Sequence, residues 1–131
     1  MKGSEKSKME RILAFQIEGE EMQKLKSIGN RMKVKIIVVE QKAYRQTLED
    51  LLEQKQNFLV QEYTENRITQ SMIVMDGFTE KRLDMLLKLL RDREVKLDYK
   101  AVVTPFNKKW NVLQLYLEME RERMGYIIKG D

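Results

Sequence analysis

The fold class is decided by one stretch of the chain, Leu97-Asp-Tyr-Lys-Ala-Val-Val-Thr-Pro-Phe-Asn-Lys-Lys-Trp-Asn-Val-Leu-Gln-Leu-Tyr-Leu-Glu-Met-Glu120. Its first part, Leu97–Thr104, begins with apolar residues at alternate positions and ends in two valines, a pattern typical of a strand in a sheet covered by helices. Pro105 ends this strand. Asn111, with Gln114 three residues later, forms the capping-box pattern that begins a helix. The stretch therefore predicts a buried strand, a turn and an amphipathic helix.

The same order of elements is predicted twice along the chain. The apolar runs Ile12–Phe15 and Met72–Met75 each precede an amphipathic helical stripe, and Lys33–Val39 corresponds to Leu97–Thr104 at a shift of 64 residues. We therefore predict an α/β fold in which 12–52 and 72–122 are two βαβα repeats around a small sheet, mainly parallel or mixed, in a single compact domain. The inner strands are expected to be Lys33–Val39 and Leu97–Thr104.

The remaining segments are expected to flank or connect these halves. Residues 1–131 form one α/β domain in this interpretation, with a flexible N-terminus at 1–10 and a linker at 53–71. Within the linker, Phe58-Leu-Val60 is expected to form either a short extra strand or an anchor on the core. Gly125 predicts the end of the last helix. Residues 123–131 are then a C-terminal tail that adds an edge strand or folds back.

Composition excludes several classes of function. Of the 131 residues, 42% are apolar, enough for a core, while cysteine and histidine are both absent. Their absence excludes thiol and imidazole nucleophiles, disulfides, and metal sites made of thiolates or imidazoles. We therefore expect no metal, no cofactor and no catalytic activity. No apolar run approaches the length of a membrane span, and the first residues do not resemble a signal peptide. These features favour a cytoplasmic protein without a membrane partner.

The second half resembles a bacterial domain family of unknown function. The family's pattern is a strand ending in Lys-Ala-Val-Leu-Thr-Pro, an Asn, a Trp and a helix containing Leu-Tyr-x-Glu-Leu. This chain has Lys100-Ala-Val-Val-Thr-Pro105, Asn107, Trp110 and Leu115-Tyr-Leu-Glu-Met119, and it departs from the pattern at four positions, namely Val103, Phe106, Leu117 and Met119. The resemblance covers roughly 72–120. It implies a small soluble α/β domain and no particular activity.

Two interpretations of the only tryptophan remain open. Trp110 and Leu115 stand at the two positions of a hydrophobic staple, which predicts a largely buried ring that sets the angle of the helix. The alternative is a binding loop at the carboxyl end of the sheet, where open α/β folds bind ligands. Its candidate residues are Thr104, Asn107, Lys108, Lys109 and Trp110.

The two later helices carry wider apolar arcs than one buried face requires. Met85 and Leu89 project away from the main stripe of the third helix, and Leu113 and Leu117 lie beside the main stripe of the last. Either a neighbouring segment covers these flanks or the four residues form the interface of a homodimer.

Three functions from different classes follow from these features. The favoured one is a non-catalytic interaction or regulatory module that self-associates as a homo-oligomer, most simply a dimer, with any other protein partner unknown. The alternative is a nucleotide- or nucleic-acid-binding module that uses the loop from Thr104 to Trp110, supported by a net charge of +4 and a pI near 9.2. The positive charge is not concentrated in any block, which weakens this alternative. The third and least supported is an enzyme using Asp, Glu, Lys or Tyr with a cofactor.

Overall fold

The computed structural model describes the backbone of residues 9–130 and the side chains of residues 9–124. Most of the segment 1–10, expected to be a flexible N-terminus, lies outside the described residues. The elements are β1 (Arg11–Phe15), α1 (Gly19–Met32), β2 (Lys35–Val38), a 3-10 helix (Gln41–Ala43), α2 (Leu48–Leu52), β3 (Met72–Asp76), α3 (Glu80–Asp92), β4 (Tyr99–Val102) and α4 (Val112–Gly130).

The chain divides into two compact units, each built from two separate segments. Within the described residues, unit 1 comprises 9–38 and 68–102, and unit 2 comprises 39–67 and 103–130. Each predicted half therefore contributes its strand–helix–strand to unit 1 and its last helix to unit 2.

Unit 1 contains one open four-stranded sheet of mixed direction. The strand order is β2-β1-β3-β4. The outer pairs β1·β2 and β3·β4 are parallel, and the central pair β1·β3 is antiparallel. The α/β fold is thus confirmed, and the sheet is the mixed one of the two expected forms. Equivalent positions pair in the two halves, since Leu13 is opposite Ile37 and Val74 is opposite Ala101.

The expectation about which strands lie inside the sheet was wrong. The central strands are β1 and β3, buried at nearly every position, whereas β2 and β4 are the edges. The paired valines suggested burial on both faces, but Val38 is 54% exposed and Val102 is 43% exposed. An edge strand leaves one side unpaired, so apolar residues at its end can still face solvent.

Two amphipathic helices cover one face of this sheet. Leu25 and Ile28 of α1 and Leu86 and Leu90 of α3 form a buried cluster with residues of the central strands. Thr79 caps α3, because its Oγ1 accepts a hydrogen bond from the backbone N–H of Arg82 at 3.1 Å.

Arg82 joins three segments of unit 1. Its guanidinium donates two hydrogen bonds to the Glu10 carboxylate, at 2.9 and 2.5 Å, and another to the carbonyl oxygen of Met32 at 2.7 Å. The hydrogen bonds to Glu10 raise the pKa of Arg82 above its ordinary value. A bidentate pair of this kind fixes orientation as well as charge.

Unit 2 contains a 3-10 helix, the short α2 and the long α4, and three of its tyrosine rings are stacked. The Tyr44 ring lies 6.0 Å from the ring of Tyr63 and 6.0 Å from that of Tyr116, and all three side chains are buried. Residues 53–71 contain neither helix nor strand, so Phe58-Leu-Val60 is not the short strand that was one expectation. It is not a core anchor either, because Phe58 is 85% exposed.

The expected C-terminal tail is helical. α4 continues through Gly125 and ends at Gly130, so 123–130 is neither an edge strand nor a returning loop, and Asp131 lies outside the described residues. One glycine inside a helix costs only about 1 kcal/mol relative to alanine, which neighbouring helix-forming residues can offset.

Candidate functional site

The loop between β4 and α4 is closed by its own polar side chains. Asn107 Oδ1 accepts a hydrogen bond from the backbone N–H of Thr104 at 2.8 Å, and Thr104 Oγ1 accepts from the N–H groups of Phe106 and Asn107. Asn107 is buried, and its backbone carbonyl accepts from the N–H of Trp110 at 2.9 Å. These two candidate binding residues therefore shape the loop, a role expected of Asn and Thr in turns.

The helix that follows begins with the predicted capping box. The backbone N–H of Gln114 donates to Asn111 Oδ1 at 2.8 Å, and the N–H of Asn111 donates to Gln114 Oε1 at 2.9 Å. Two N–H groups at the helix start thus acquire partners.

For Trp110, the largely buried staple that the spacing predicted stays a prediction. Its side chain is half-buried and borders a surface pocket of about 230 Å3 together with Gln114, Leu117, Glu118 and Arg121 of α4. Leu115, the expected contact of the ring, is itself buried. A half-buried tryptophan at the edge of a pocket is compatible with either interpretation.

The two lysines of the loop differ in their surroundings. Lys109 Nζ lies 2.9 Å from Glu49 Oε1, whereas Lys108 is exposed and its backbone carbonyl accepts from the N–H of Glu49 at 3.0 Å. The hydrogen bond between the two side chains lowers the pKa of Glu49 and raises the pKa of Lys109. The charge of Lys109 is therefore balanced locally.

The loop is hydrogen-bonded to the start of α2, within the same unit. Thr47 and Asn111 form an isolated antiparallel bridge, and the N–H of Leu48 donates to the carbonyl of Trp110 at 2.9 Å. Thr47 also caps α2 by accepting from the N–H of Asp50 at 3.1 Å. Backbone bonds on both sides thus hold the candidate loop in one position.

The net positive charge of the sequence does not belong to this loop's unit. Over the full sequence, residues 1–38 and 68–102 contain 16 basic and 11 acidic residues, and residues 39–67 and 103–131 contain 9 basic and 10 acidic residues. A phosphate-binding surface usually concentrates basic residues on one face. The charge distribution therefore favours a phosphate partner for this loop less than the pI suggests.

The four candidate interface residues belong to two different units. Met85 and Leu89 belong to unit 1, and Leu113 and Leu117 belong to unit 2. Met85 is 42% exposed and Leu117 is 57% exposed, whereas Leu89 packs against the core cluster of unit 1 and Leu113 is half-buried. Only two of the four side chains are therefore largely available to a partner.

The structure also contains two features for which no sites were predicted. A surface pocket of about 640 Å3 in unit 1 is lined partly by Glu18, Glu21, Lys96 and Asp98, which come from distant segments that no spacing rule connects. In unit 2, a turn at 57–60 exposes Phe58 and Leu59, and Asn57 was the available turn signal.

Two carboxylates of the unit 1 pocket are hydrogen-bonded to backbone N–H groups. Glu21 Oε1 accepts from the N–H of Lys96 at 2.7 Å, and Asp98 Oδ2 accepts from the N–H of Ser71 at 2.8 Å. Over the described part of the chain, no three Asp or Glu side chains are placed to hold a metal ion. Its polar groups thus hold neighbouring loops together.

Comparison with known proteins identifies the second half alone. Residues 71–126 match the family model of a domain of unknown function (DUF3783), a match that spans β3, α3, β4 and most of α4. The matched segment includes residues 72–120, for which the sequence predicted a resemblance to a domain family of unknown function. No curated protein and no solved structure matches the chain. No helix in the described residues is long and apolar enough to span a membrane.

Proposed function

We propose that this protein is a non-catalytic interaction module that associates with a second copy of itself. The observation that carries the proposal is the exposure of large apolar side chains on ordered backbone in unit 2. Phe58 and Leu59 are 85% and 93% exposed, although the segment that holds them is fixed by hydrogen bonds. Exposed apolar groups that are not mobile are typical of surfaces that bind a partner.

The polar chemistry of the candidate loop supports the same proposal. Thr104 and Asn107 are engaged in closing the loop, and Lys109 is paired with Glu49. A catalytic site requires polar groups directed at a substrate, and these groups are directed at each other.

Sedimentation equilibrium of the full chain at several concentrations tests the proposal. We expect a concentration-dependent shift from monomer to dimer in the micromolar range, and the dimer should persist at high salt because its contacts are apolar. A monomer at every accessible concentration would contradict self-association.

A nucleotide- or nucleic-acid-binding module remains the second candidate. Its support is the half-buried Trp110, which borders one pocket together with Arg121, and the exposed Lys108 of the same loop. Aromatic rings next to cationic side chains can stack on bases. Because the chain has one tryptophan, its fluorescence reports on this position directly. Titration with an oligonucleotide should change the emission at low salt and lose the change at high salt if this candidate is right. No response at low salt would eliminate it.

We also infer that the two halves, 12–52 and 72–122, arose by duplication of one βαβα segment. The support is the shared order of elements and the equivalent strand pairing of Leu13 with Ile37 and Val74 with Ala101. Related chains should then include some whose first half matches the same family model as residues 71–126. First halves that never match it would contradict the duplication.

A further inference from the structure

The turn at 57–60 is held by a buried side chain from another segment of unit 2. Gln46, only 6% exposed, accepts a hydrogen bond from the N–H of Asn57 at 2.9 Å and donates to its carbonyl oxygen at 3.2 Å. Asn57 Oδ1 then accepts from the N–H of Leu59 at 3.0 Å, and its carbonyl accepts from the N–H of Val60 at 3.1 Å. We call residues 57–60 the Asn57 turn. Its backbone is fixed at four points.

The two side chains at the tip of the Asn57 turn are among the most exposed apolar groups of the described residues. Phe58 is 85% exposed and Leu59 is 93% exposed. A fixed turn has already lost its backbone entropy, so a partner that covers these side chains need not order the segment on binding.

A pocket lies directly beside this turn. It has a volume of about 240 Å3. Three of its nine lining residues are apolar, namely Ala43, Leu51 and Val60, and the other six are polar or charged, among them Lys42, Lys55 and Glu62. We call it the α2 pocket, because Leu51 belongs to α2. A cavity of about 150 Å3 holds a benzene ring, so the α2 pocket has room for one phenyl side chain.

We propose that Phe58 of a second copy of this chain inserts into the α2 pocket, and that the first copy's Phe58 inserts into the second copy's pocket. The inference rests on the self-association in the proposed function and assigns it a surface. A second copy is the occupant because the projecting ring and the pocket belong to one continuous stretch, with Val60 shared between the turn and the pocket wall. A surface that carries both is self-complementary, as a two-fold interface requires.

The charges around the α2 pocket fit the same arrangement. Lys42, Lys55 and Glu62 are exposed and carry both signs. A two-fold pairing permits the lysines of each copy to face the other copy's Glu62, and opposite charges at an interface favour the correct register.

The expected interface is small. The surface buried by the two copies would come from two phenylalanines, two leucines and the walls of both pockets. Each aromatic ring covers about 150–250 Å2, so the total buried area should be about 1,000–1,500 Å2. This is at the lower end for specific interfaces and is consistent with a dimer of micromolar affinity.

The first experiment compares F58S with F106S by sedimentation equilibrium of the full chain. Both phenylalanines are 85% exposed in unit 2, so neither change should alter folding, which circular dichroism verifies. We expect F58S to raise the dimer dissociation constant at least about 100-fold. Each dimer loses two inserted rings, and the loss of each ring should raise the constant about tenfold or more. F106S should leave the constant within about threefold of the parent.

The second experiment fills the pocket and then tests complementation. A43L places a larger side chain in the α2 pocket and should also yield a monomer. Mixed with F58S, which keeps its pocket, A43L should form a heterodimer of intermediate affinity, because one ring can still enter one pocket. A surface elsewhere on the molecule would not produce this rescue.

The outcomes separate this inference from the proposed function. A parent chain that is monomeric at every concentration contradicts both. A dimeric parent that F58S and A43L leave unchanged overturns only the assignment of the surface, and loss of the dimer in L117S would then place the interface on α4. Equal weakening by F58S and F106S would also overturn it, because any exposed ring would then serve.

Discussion

Unit 1 and unit 2 differ in what holds each of them together. Unit 1 has a four-stranded sheet and a continuous apolar cluster, so backbone ladders and burial define it. Unit 2 has no sheet in its described residues beyond the isolated bridge of Thr47 and Asn111, and side chains fix its backbone, as Gln46 fixes Asn57. The more exposed large apolar side chains, such as Phe58, also belong to unit 2. A segment whose backbone is fixed by hydrogen bonds can keep its apolar side chains exposed to solvent.

The largest expected effect tests the tyrosine stack that replaces a sheet in unit 2. Tyr44→Ala should lower the free energy of unfolding by about 3–5 kcal/mol, the range for removing a large buried ring, because Tyr44 is the middle ring and is fully buried. Urea denaturation followed by far-UV circular dichroism measures it. Tyr44→Phe, which keeps the ring, should cost much less. A loss below about 1 kcal/mol in Tyr44→Ala would mean that the stack is not a core.

The next largest expected effect tests the close approach of Gly77 to the backbone of Met9 in unit 1. Gly77 has a φ of 87°, and a Cβ there would lie 2.5 Å from the backbone oxygen of Met9. Gly77→Ala should cost about 2–5 kcal/mol, combining left-handed strain of about 1–2 kcal/mol with overpacking of about 1–3 kcal/mol.

The matched control for that comparison is Gly19→Ala. Gly19 has a φ of 60° and nothing within 4 Å of the added Cβ, so only the strain of about 1–2 kcal/mol should appear. Thermal denaturation of both variants gives the difference. Equal losses would show that the close approach to Met9 carries no cost.

The difference between the units also explains which features were predictable from the sequence. The order of strands and helices follows from apolar periodicity, and the caps at Thr79 and Asn111 follow from local spacing. Both signals lie within a few residues. The bond between Gln46 and Asn57 joins positions eleven apart in irregular backbone, where no periodic rule applies. Unit 1 was therefore easier to predict than unit 2.

Strand position within the sheet could not be obtained from local pattern either. Val38 and Val102 end apolar runs that resemble buried strands, yet each closes an edge strand whose outer side is unpaired. The continuous apolar runs of β1 and β3 are typical of strands buried on both faces, and this signal was not used to place them at the centre of the sheet. The pairing of β1 with β3 joins residues about sixty apart, so composition of either strand alone does not specify it.

A moderate effect is expected at the side chain that holds the Asn57 turn. Gln46→Ala should cost about 1–3 kcal/mol, because it removes a buried reciprocal pair of hydrogen bonds and leaves the N–H of Asn57 without its partner. Gln56→Ala, at an exposed position of the same segment, is the control and should change stability by less than about 0.5 kcal/mol. Equal effects of the two changes in urea denaturation would show that Gln46 does not fix the turn.

The smallest effect concerns the ion pair of Glu49 with Lys109, both exposed groups. The hydrogen bond between them lowers the pKa of Glu49 from its ordinary 4.5 and raises the pKa of Lys109 from its ordinary 10.5. A lowered carboxyl pKa stabilises the fold above pH 4.5 and loses that contribution as the pH falls through the folded pKa, whereas a raised lysine pKa loses its contribution as the pH rises above 10.5. Thermal midpoints of Glu49→Gln and the parent should therefore differ slightly near pH 7 and converge at acid pH. A difference that grows toward acid pH would contradict this sign.

The same variant, Glu49→Gln, also tests the nucleic-acid candidate, because it removes the carboxylate that balances Lys109. An oligonucleotide should bind this variant more tightly than the parent at low salt if the loop recognises phosphate. If the protein is instead the interaction module that we propose, adding an oligonucleotide to Glu49→Gln should change neither the fluorescence of Trp110 nor the amount of dimer.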